Sequence, residues 1–294
     1  MPSIYESLCK LGLASDSTIE LFHKGSRDNP LIDFYRDKVS GVIFIKDKYV
    51  GDDEYISGDY REIKAKKEGK TSSSINHERY TDYTRRIVDN KQFYIGLDIV
   101  DFGCGHGHFL NEIKDLCKSV HGIELQRNLL ESLKKKDIPC EDNLNKLADN
   151  SIDSIFLFHT FEHLPKPIES LAEIRSKLRD NGRIIIEVPH AEDFLISTLK
   201  SEAFIKSTLW SQHLILHTKT SMSVILENAG FKNIMVKGIQ RYPLSNHLKW
   251  LKDKKGGGHL SNLSIIDDEE LNRFYEKTLS KISKTDTLLI IADK

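Results

Sequence analysis

Three glycines at alternate positions, Gly103, Gly105 and Gly107, follow Asp101 and interrupt a chain that is apolar before them and helix-periodic after them. The run Leu97 to Phe102 reads as a strand. Phe109, Leu110, Ile113, Leu116 and Cys117 recur at helical spacing. A strand, a glycine turn and a helix start present bare backbone to a small ligand. Glycine lacks the Cβ that disfavours positive φ, and the first N–H groups of a helix have no intrahelical partner. Glu124 ends the next strand, where a carboxylate can accept both hydroxyls of a ribose. Asp142 and Asn143 follow the third strand and are placed to read an adenine edge. Three histidines follow later strands and are candidates for proton transfer: His159, His190 and His213. His190 ranks first among them because it follows Pro189 at the end of the fifth strand.

The elements that must position these residues alternate in type. Strands are expected at 99–102, 120–123, 138–140, 151–158, 183–188, 231–236 and 287–292, with helices between most of them. Pro167 suits a first helical position, and Asn181-Gly182 a helix stop. Thr220 to Ala229 reads as another helix. The last two strands are joined by an excursion without the usual crossover pattern, which allows an antiparallel final strand. The expected fold is therefore α/β: a Rossmann-like, mostly parallel seven-stranded sheet with helices on both faces. Residues 1–75 form a separate N-terminal region with a short helix near Ile4 and a hairpin around Ser40-Gly41. Residues 76–294 form the main domain, opening with a helix over 76–90. An insertion at about 243–283 acts as a cap and carries a Gly256-Gly257-Gly258 hinge.

Two cofactor classes use such a turn. The dinucleotide pattern G-x-G-x-x-G/A places a small residue where this chain has His108, and a histidine there would crowd close helix–strand packing. The pattern present, D-x-G-x-G-x-G, resembles motif I of the class I S-adenosylmethionine-dependent methyltransferases. Three further stretches extend the resemblance. His159-Thr160-Phe161-Glu162-His163-Leu164 resembles the segment that closes their fourth strand. Asn181-Gly182-Arg183-Ile184 resembles the turn into the fifth, and Ser211-Gln212-His213-Leu214 with Ala229-Gly230-Phe231 the region before the sixth. The resemblance is to bacterial small-molecule and sugar methyltransferases and covers about residues 76–242. It implies S-adenosylmethionine as cofactor, held by Asp101, Gly103, Cys104, Gly105, Glu124, Leu125, Asp142, Asn143, His159 and Tyr80. It implies methyl transfer to a hydroxyl of a small, sugar-like acceptor such as a surface-polysaccharide precursor. A cofactor-binding subunit without catalysis and an NAD-dependent oxidoreductase are the alternatives.

His159-Thr160-Phe161-Glu162-His163 also fits H-x-x-E-H, in which two histidines on one helix grip zinc. The β-like residues before it and Pro165 and Pro167 after it leave no room for that helix. The cysteine-rich hairpin of some bacterial relatives is not matched either, so no metal is expected. The net charge of −1 argues against a nucleic-acid partner, and no run approaches a membrane span. Four cysteines without CxxC spacing suit reduced thiols in the cytoplasm. Self-association is left open.

Overall fold

Apolar β-branched and aromatic runs buried on both faces form the centre of a seven-stranded sheet. In the computed structural model, which describes residues 3–46 and 82–294, β4 (Asp98–Phe102), β5 (Ser119–Ile123), β6 (Cys140–Glu141), β7 (Ile152–Phe158) and β8 (Leu178–Pro189) pair in parallel. Ile155, Phe156 and Leu157 are consecutive and all fully buried, the mark of a strand with helices over both faces. The strands β10 (Lys232–Ile239) and β11 (Thr287–Asp293) complete the order β10-β11-β8-β7-β4-β5-β6. β11 is antiparallel to both β8 and β10. The long excursion between β10 and β11 thus acts as an extended hairpin connection, as the sequence pattern allows.

Among the described residues the first helices are α1 (Ile4–Lys10) and helical residues 82–89, here α2. α3 (His108–Ile113) follows the glycine turn and runs into a 3₁₀ turn at Lys114–Leu116. It therefore stops short of Cys117, which is extended. α4 (Arg127–Lys134) joins β5 to β6 and α5 (Pro167–Lys177) joins β7 to β8. Pro167 opens α5 as expected, but Asn181-Gly182 is not its stop. Leu178 is fully buried and already pairs with Ile152, so the chain becomes extended at that residue. Beyond β8 come a π-helical turn at Phe194–Thr198, α6 (Glu202–Thr208), the short β9 (Ile215–Leu216) and α7 (Lys219–Asn228). Thr218 and Ser221 form the capping box of α7.

The N-terminal strands β1 (Ile19–His23), β2 (Phe34–Asp37) and β3 (Ile43–Ile45) make an antiparallel sheet whose fourth strand is β9, from the other end of the chain. Phe34, Ile43 and Phe44 share one buried cluster with Leu157, Phe161, Leu214 and Leu216. The β2–β3 hairpin turns at Asp37, whose carboxylate accepts from the N–H groups of Val39 (2.9 Å) and Ser40 (2.7 Å). The expected boundary at 75/76 and the start of the 76–90 helix lie outside the described residues.

The insertion carries α8 (Leu244–Asp253) and α9 (Glu269–Lys281). Gly256 and Gly258 are packed and Gly257 is tied by a hydrogen bond, which does not suit a hinge. A Cβ on Gly258 would lie 2.0 Å from the Ser245 carbonyl oxygen, and the Asn246 side chain accepts from Gly257 N at 2.7 Å. Among the described residues no helix is long and apolar enough to cross a membrane.

Candidate functional site

The glycine turn is built by close approach on two sides. Gly103 has φ +81°, and a Cβ there would lie 2.5 Å from Thr160 Oγ1, so the turn touches the residue after His159. Gly107 has φ +67°, and a Cβ there would lie 2.2 Å from a Leu133 methyl of α4. Gly107 is thus the point of tight helix packing. His108 is exposed and stacks on Tyr83 at a centroid distance of 5.0 Å. The expectation that His108 would crowd the packing is corrected: its side chain points outward, and bulk at this position blocks nothing.

Glu124 is buried beneath the turn. Its two oxygens accept from Gly105 N (2.9 Å) and Gln126 N (3.0 Å). A carboxylate offers about four acceptor positions, so two remain for vicinal hydroxyls. Asp101 is also buried. Burial, with the Glu124 charge added and Arg86 opposing, pushes its carboxyl up to about 7. Cys104 packs its sulfur 3.9 Å from Cys140 Sγ, and all four cysteines are free. Leu125 is exposed at the rim. Asp142 is exposed and pairs with Lys146 at 2.9 Å, while the Asn143 side chain caps the turn at Leu144–Lys146. Tyr80 lies outside the described residues.

The end of β7 gathers a second group of polar side chains. His159 has φ +53° and is placed by its N–H, which donates to the Glu187 carbonyl at 2.9 Å. Its Nε2 lies 2.9 Å from Arg241 Nη1, and its Nδ1 lies 3.4 Å from Glu162 Oε1. The guanidinium can only donate, so Nε2 accepts and Nδ1 carries the hydrogen. Burial, then the cations Arg241 and Arg86, hold this imidazole well below its usual range. Its lone pair is already engaged, which leaves His159 positioned to orient and weak as a base. Arg241 also grips Asp82 of α2, with Nε 2.9 Å from Oδ1. Arg85 and Arg86 of the same helix close on the fully buried Glu187, at 2.8 and 2.9 Å from Arg85 and 2.8 Å from Arg86. Nothing in the local sequence marks Arg85 and Arg86 as functional. Their partner is 101 residues away from Arg86, and no local pattern connects them.

Glu162 and His163 occupy a single 3₁₀ turn, Phe161–His163. The Glu162 carboxylate is 1% exposed, and neither oxygen has a hydrogen-bond partner. Burial pushes it up to about 8 against the pull of Arg241 and Arg86. His213 arrives from the loop before β9. That loop is fixed by Asp28, which accepts from Ser211 N at 3.0 Å and Ser211 Oγ at 2.5 Å, and by Leu214 N donating to the Glu162 carbonyl at 2.9 Å. The structure therefore brings His159 and His213 to one place and adds Glu162 and His163.

His190 is elsewhere. It is 2% exposed, its Nδ1 faces the Thr285 carbonyl at 2.9 Å, and burial pushes it down to about 4. It lines a cleft of about 590 Å³ with Arg36, Glu192, Lys219 and Lys284. None of the glycine-turn residues, nor His159, Glu162 or His213, lines that cleft.

Comparison with known proteins adds the following. A family model described as a methyltransferase domain matches residues 72–236. No curated protein matches the chain in sequence. A SAM dependent methyltransferase from Archaeoglobus fulgidus is similar in structure at 19% identity and a TM-score of 0.53, over 80% of this chain and 100% of that one. A phosphoethanolamine N-methyltransferase 2 from Haemonchus contortus gives 19% and 0.47, over 72% of this chain and 52% of that one. An S-adenosylmethionine dependent methyltransferase from Mesorhizobium loti gives 16% and 0.44, over 69% and 93%.

Proposed function

Because the chain belongs to the methyltransferase domain family and is an S-adenosylmethionine-dependent methyltransferase, we propose that it methylates a hydroxyl of a small polar acceptor, a sugar or a surface-polysaccharide precursor. The residues of the glycine turn fit the cofactor. Glu124 keeps two acceptor positions for ribose hydroxyls, and among the described residues the Asp101 carboxyl beside it meets no cation closely enough to hold it ionised. A cationic ligand would supply that charge. The carboxylate at 124, the rim residue Leu125, and Asp142 and Asn143 follow consecutive strands, as a nucleoside requires.

When bound, S-adenosylmethionine supplies a methyl group on a sulfonium, which is a good leaving group. The chain's own task is then to hold the acceptor in line with it. Alignment of this kind is worth up to about 7–11 kcal/mol, and a base adds about 10²–10⁴-fold for a hydroxyl. The observation that carries the acceptor assignment is the cluster after β7: His159, Glu162, His163 and His213 beside the Arg241–Asp82 pair. These groups donate to and accept from hydroxyls. His213 faces the Thr208 carbonyl with Nδ1, so Nε2 carries the lone pair. The same geometry holds for His163 against the Gln212 carbonyl.

Calorimetry with S-adenosylhomocysteine tests the first half. The wild type should bind, and Glu124→Gln should bind about 10–100-fold more weakly, the loss of one or two charge-assisted hydrogen bonds. Transfer of labelled methyl from S-adenosylmethionine to a pool of nucleotide sugars and phosphorylated sugars tests the second half. Binding with no transfer to any hydroxyl compound, or transfer only to amines, overturns the acceptor assignment.

A further inference from the structure

We propose that Glu162, His163 and His213 form a binding site for one divalent first-row transition-metal ion, with open positions for oxygen ligands. One ligand atom from each residue lies within 4.8 Å of the other two. The distances inside the set suit collapse onto an ion. His163 Nε2 is already 3.9 Å from Glu162 Oε1, and the His163 and His213 rings have centroids 5.2 Å apart.

Two independent features point to a metal rather than to chance proximity. Both histidines have their Nδ1 against a backbone carbonyl, His163 on Gln212 at 2.6 Å and His213 on Thr208 at 2.9 Å. A carbonyl can only accept, so both rings carry hydrogen on Nδ1 and a lone pair on Nε2. That is the arrangement by which proteins orient metal-binding imidazoles. The second feature is Glu162. A carboxylate buried to 1% with no hydrogen bond to either oxygen is costly unless something compensates it. Among the described residues, the cations beside the site each serve another acid. Arg85 and Arg86 are paired with Glu187, and Arg241 with Asp82.

Two imidazoles and one carboxylate select a borderline ion such as Zn²⁺, Mn²⁺, Fe²⁺ or Co²⁺ over Mg²⁺ or Ca²⁺, which prefer all-oxygen shells. Three protein ligands also leave positions open, as in reactive rather than structural sites. The sequence pattern H-x-x-E-H suggested a different set, His159 with His163 on one helix. That helix is missing, His159 is committed to Arg241, and the third ligand comes from 50 residues further along the chain. As an ion site the cluster stands by itself. Its part in the reaction, holding an acceptor hydroxyl oxygen, rests on the proposed function above.

The test uses the full-length chain after metal removal, without cofactor. Titration with Co²⁺, followed by visible absorption, should reach saturation at one equivalent, and Zn²⁺ should displace the colour. His213→Asn and Glu162→Gln should each abolish the saturable signal. Their loss of affinity should exceed the roughly 10–100-fold typical of a lost supporting residue. Glu162→Gln keeps the side chain's shape and puts no charge in the buried site, so it should fold at least as well as the wild type. Its circular dichroism and thermal transition establish that. No saturable Co²⁺ binding by the wild type, or equal binding by folded Glu162→Gln, overturns the site. Calorimetry with S-adenosylhomocysteine, run separately, distinguishes its failure from failure of the cofactor reading.

Discussion

At the scale of single residues, burial decides what each titratable group can do. His159, His190, His217 and His247 are all held below the usual imidazole range, each chiefly by desolvation. They are neutral at pH 7, and in the folded chain they take up a proton only well below the usual imidazole range. For His190 the sign follows directly. Its folded value is about 4 and its unfolded value about 6.5, so the unfolded chain binds more protons between those values. Its contribution to stability is whole above pH 6.5 and is lost as pH falls to 4, a change on the order of 3 kcal/mol. The charges facing it, Glu192, Lys219 and Lys284, are weaker influences than burial. His190→Asn keeps a donor for the Thr285 carbonyl and removes the titration. The stability difference between wild type and this variant, measured by urea unfolding, should move in the variant's favour by that amount from pH 7 to pH 4. A difference that stays constant over this range would show that the imidazole is not held neutral.

Between elements, the most informative contact is the clamp from α2 to the sheet. Glu187 is a carboxylate in a run of fully buried apolar residues on β8, a position where an unpaired charge would not be tolerated. Arg85 and Arg86 neutralise it, and Arg86 also lies over the Phe158 ring at 4.3 Å. Phe158 in turn meets Phe109 of α3 edge to face and stacks with Phe156 of β7, at centroid distances of 5.0 and 5.5 Å. The same helix reaches the start of the insertion through Asp82 and Arg241. α2 therefore ties β7, β8 and the insertion together around His159. Glu187→Gln leaves Arg86 buried with half its compensation. It should lower unfolding free energy by about 3–5 kcal/mol. A value within about 1 kcal/mol of wild type would mean that the clamp is dispensable.

Across the whole molecule, the N-terminal segment and the α/β sheet share structure. β9 belongs to the four-stranded sheet by pairing and to the main domain by its place in the chain. Asp28 holds the loop that carries His213, and Thr218, which caps α7, donates to the Ser40 carbonyl at 3.0 Å. The two regions should unfold as one cooperative unit. Thermal melts followed by far-ultraviolet circular dichroism and by tryptophan fluorescence should coincide, since Trp210 sits against Arg27 at this junction. Separated transitions would show two independent units.

The sequence by itself placed the strands of the parallel core, the glycine turn and the cofactor class. Each of these is written in local periodicity: apolar runs buried on both faces, three glycines in register, an acid at the next strand end. It also anticipated the antiparallel last strand from a connection lacking a crossover pattern. Tertiary structure alone decided which polar residues meet. His159 and His213 converge, His190 faces another cleft, and Glu162, to which the sequence reading gave no role, becomes the buried centre of the group. Arg85, Arg86 and Arg241 find partners more than 80 residues away. Local pattern records which face of an element is apolar. It carries no record of distances between strand ends, because those depend on how several elements pack at once.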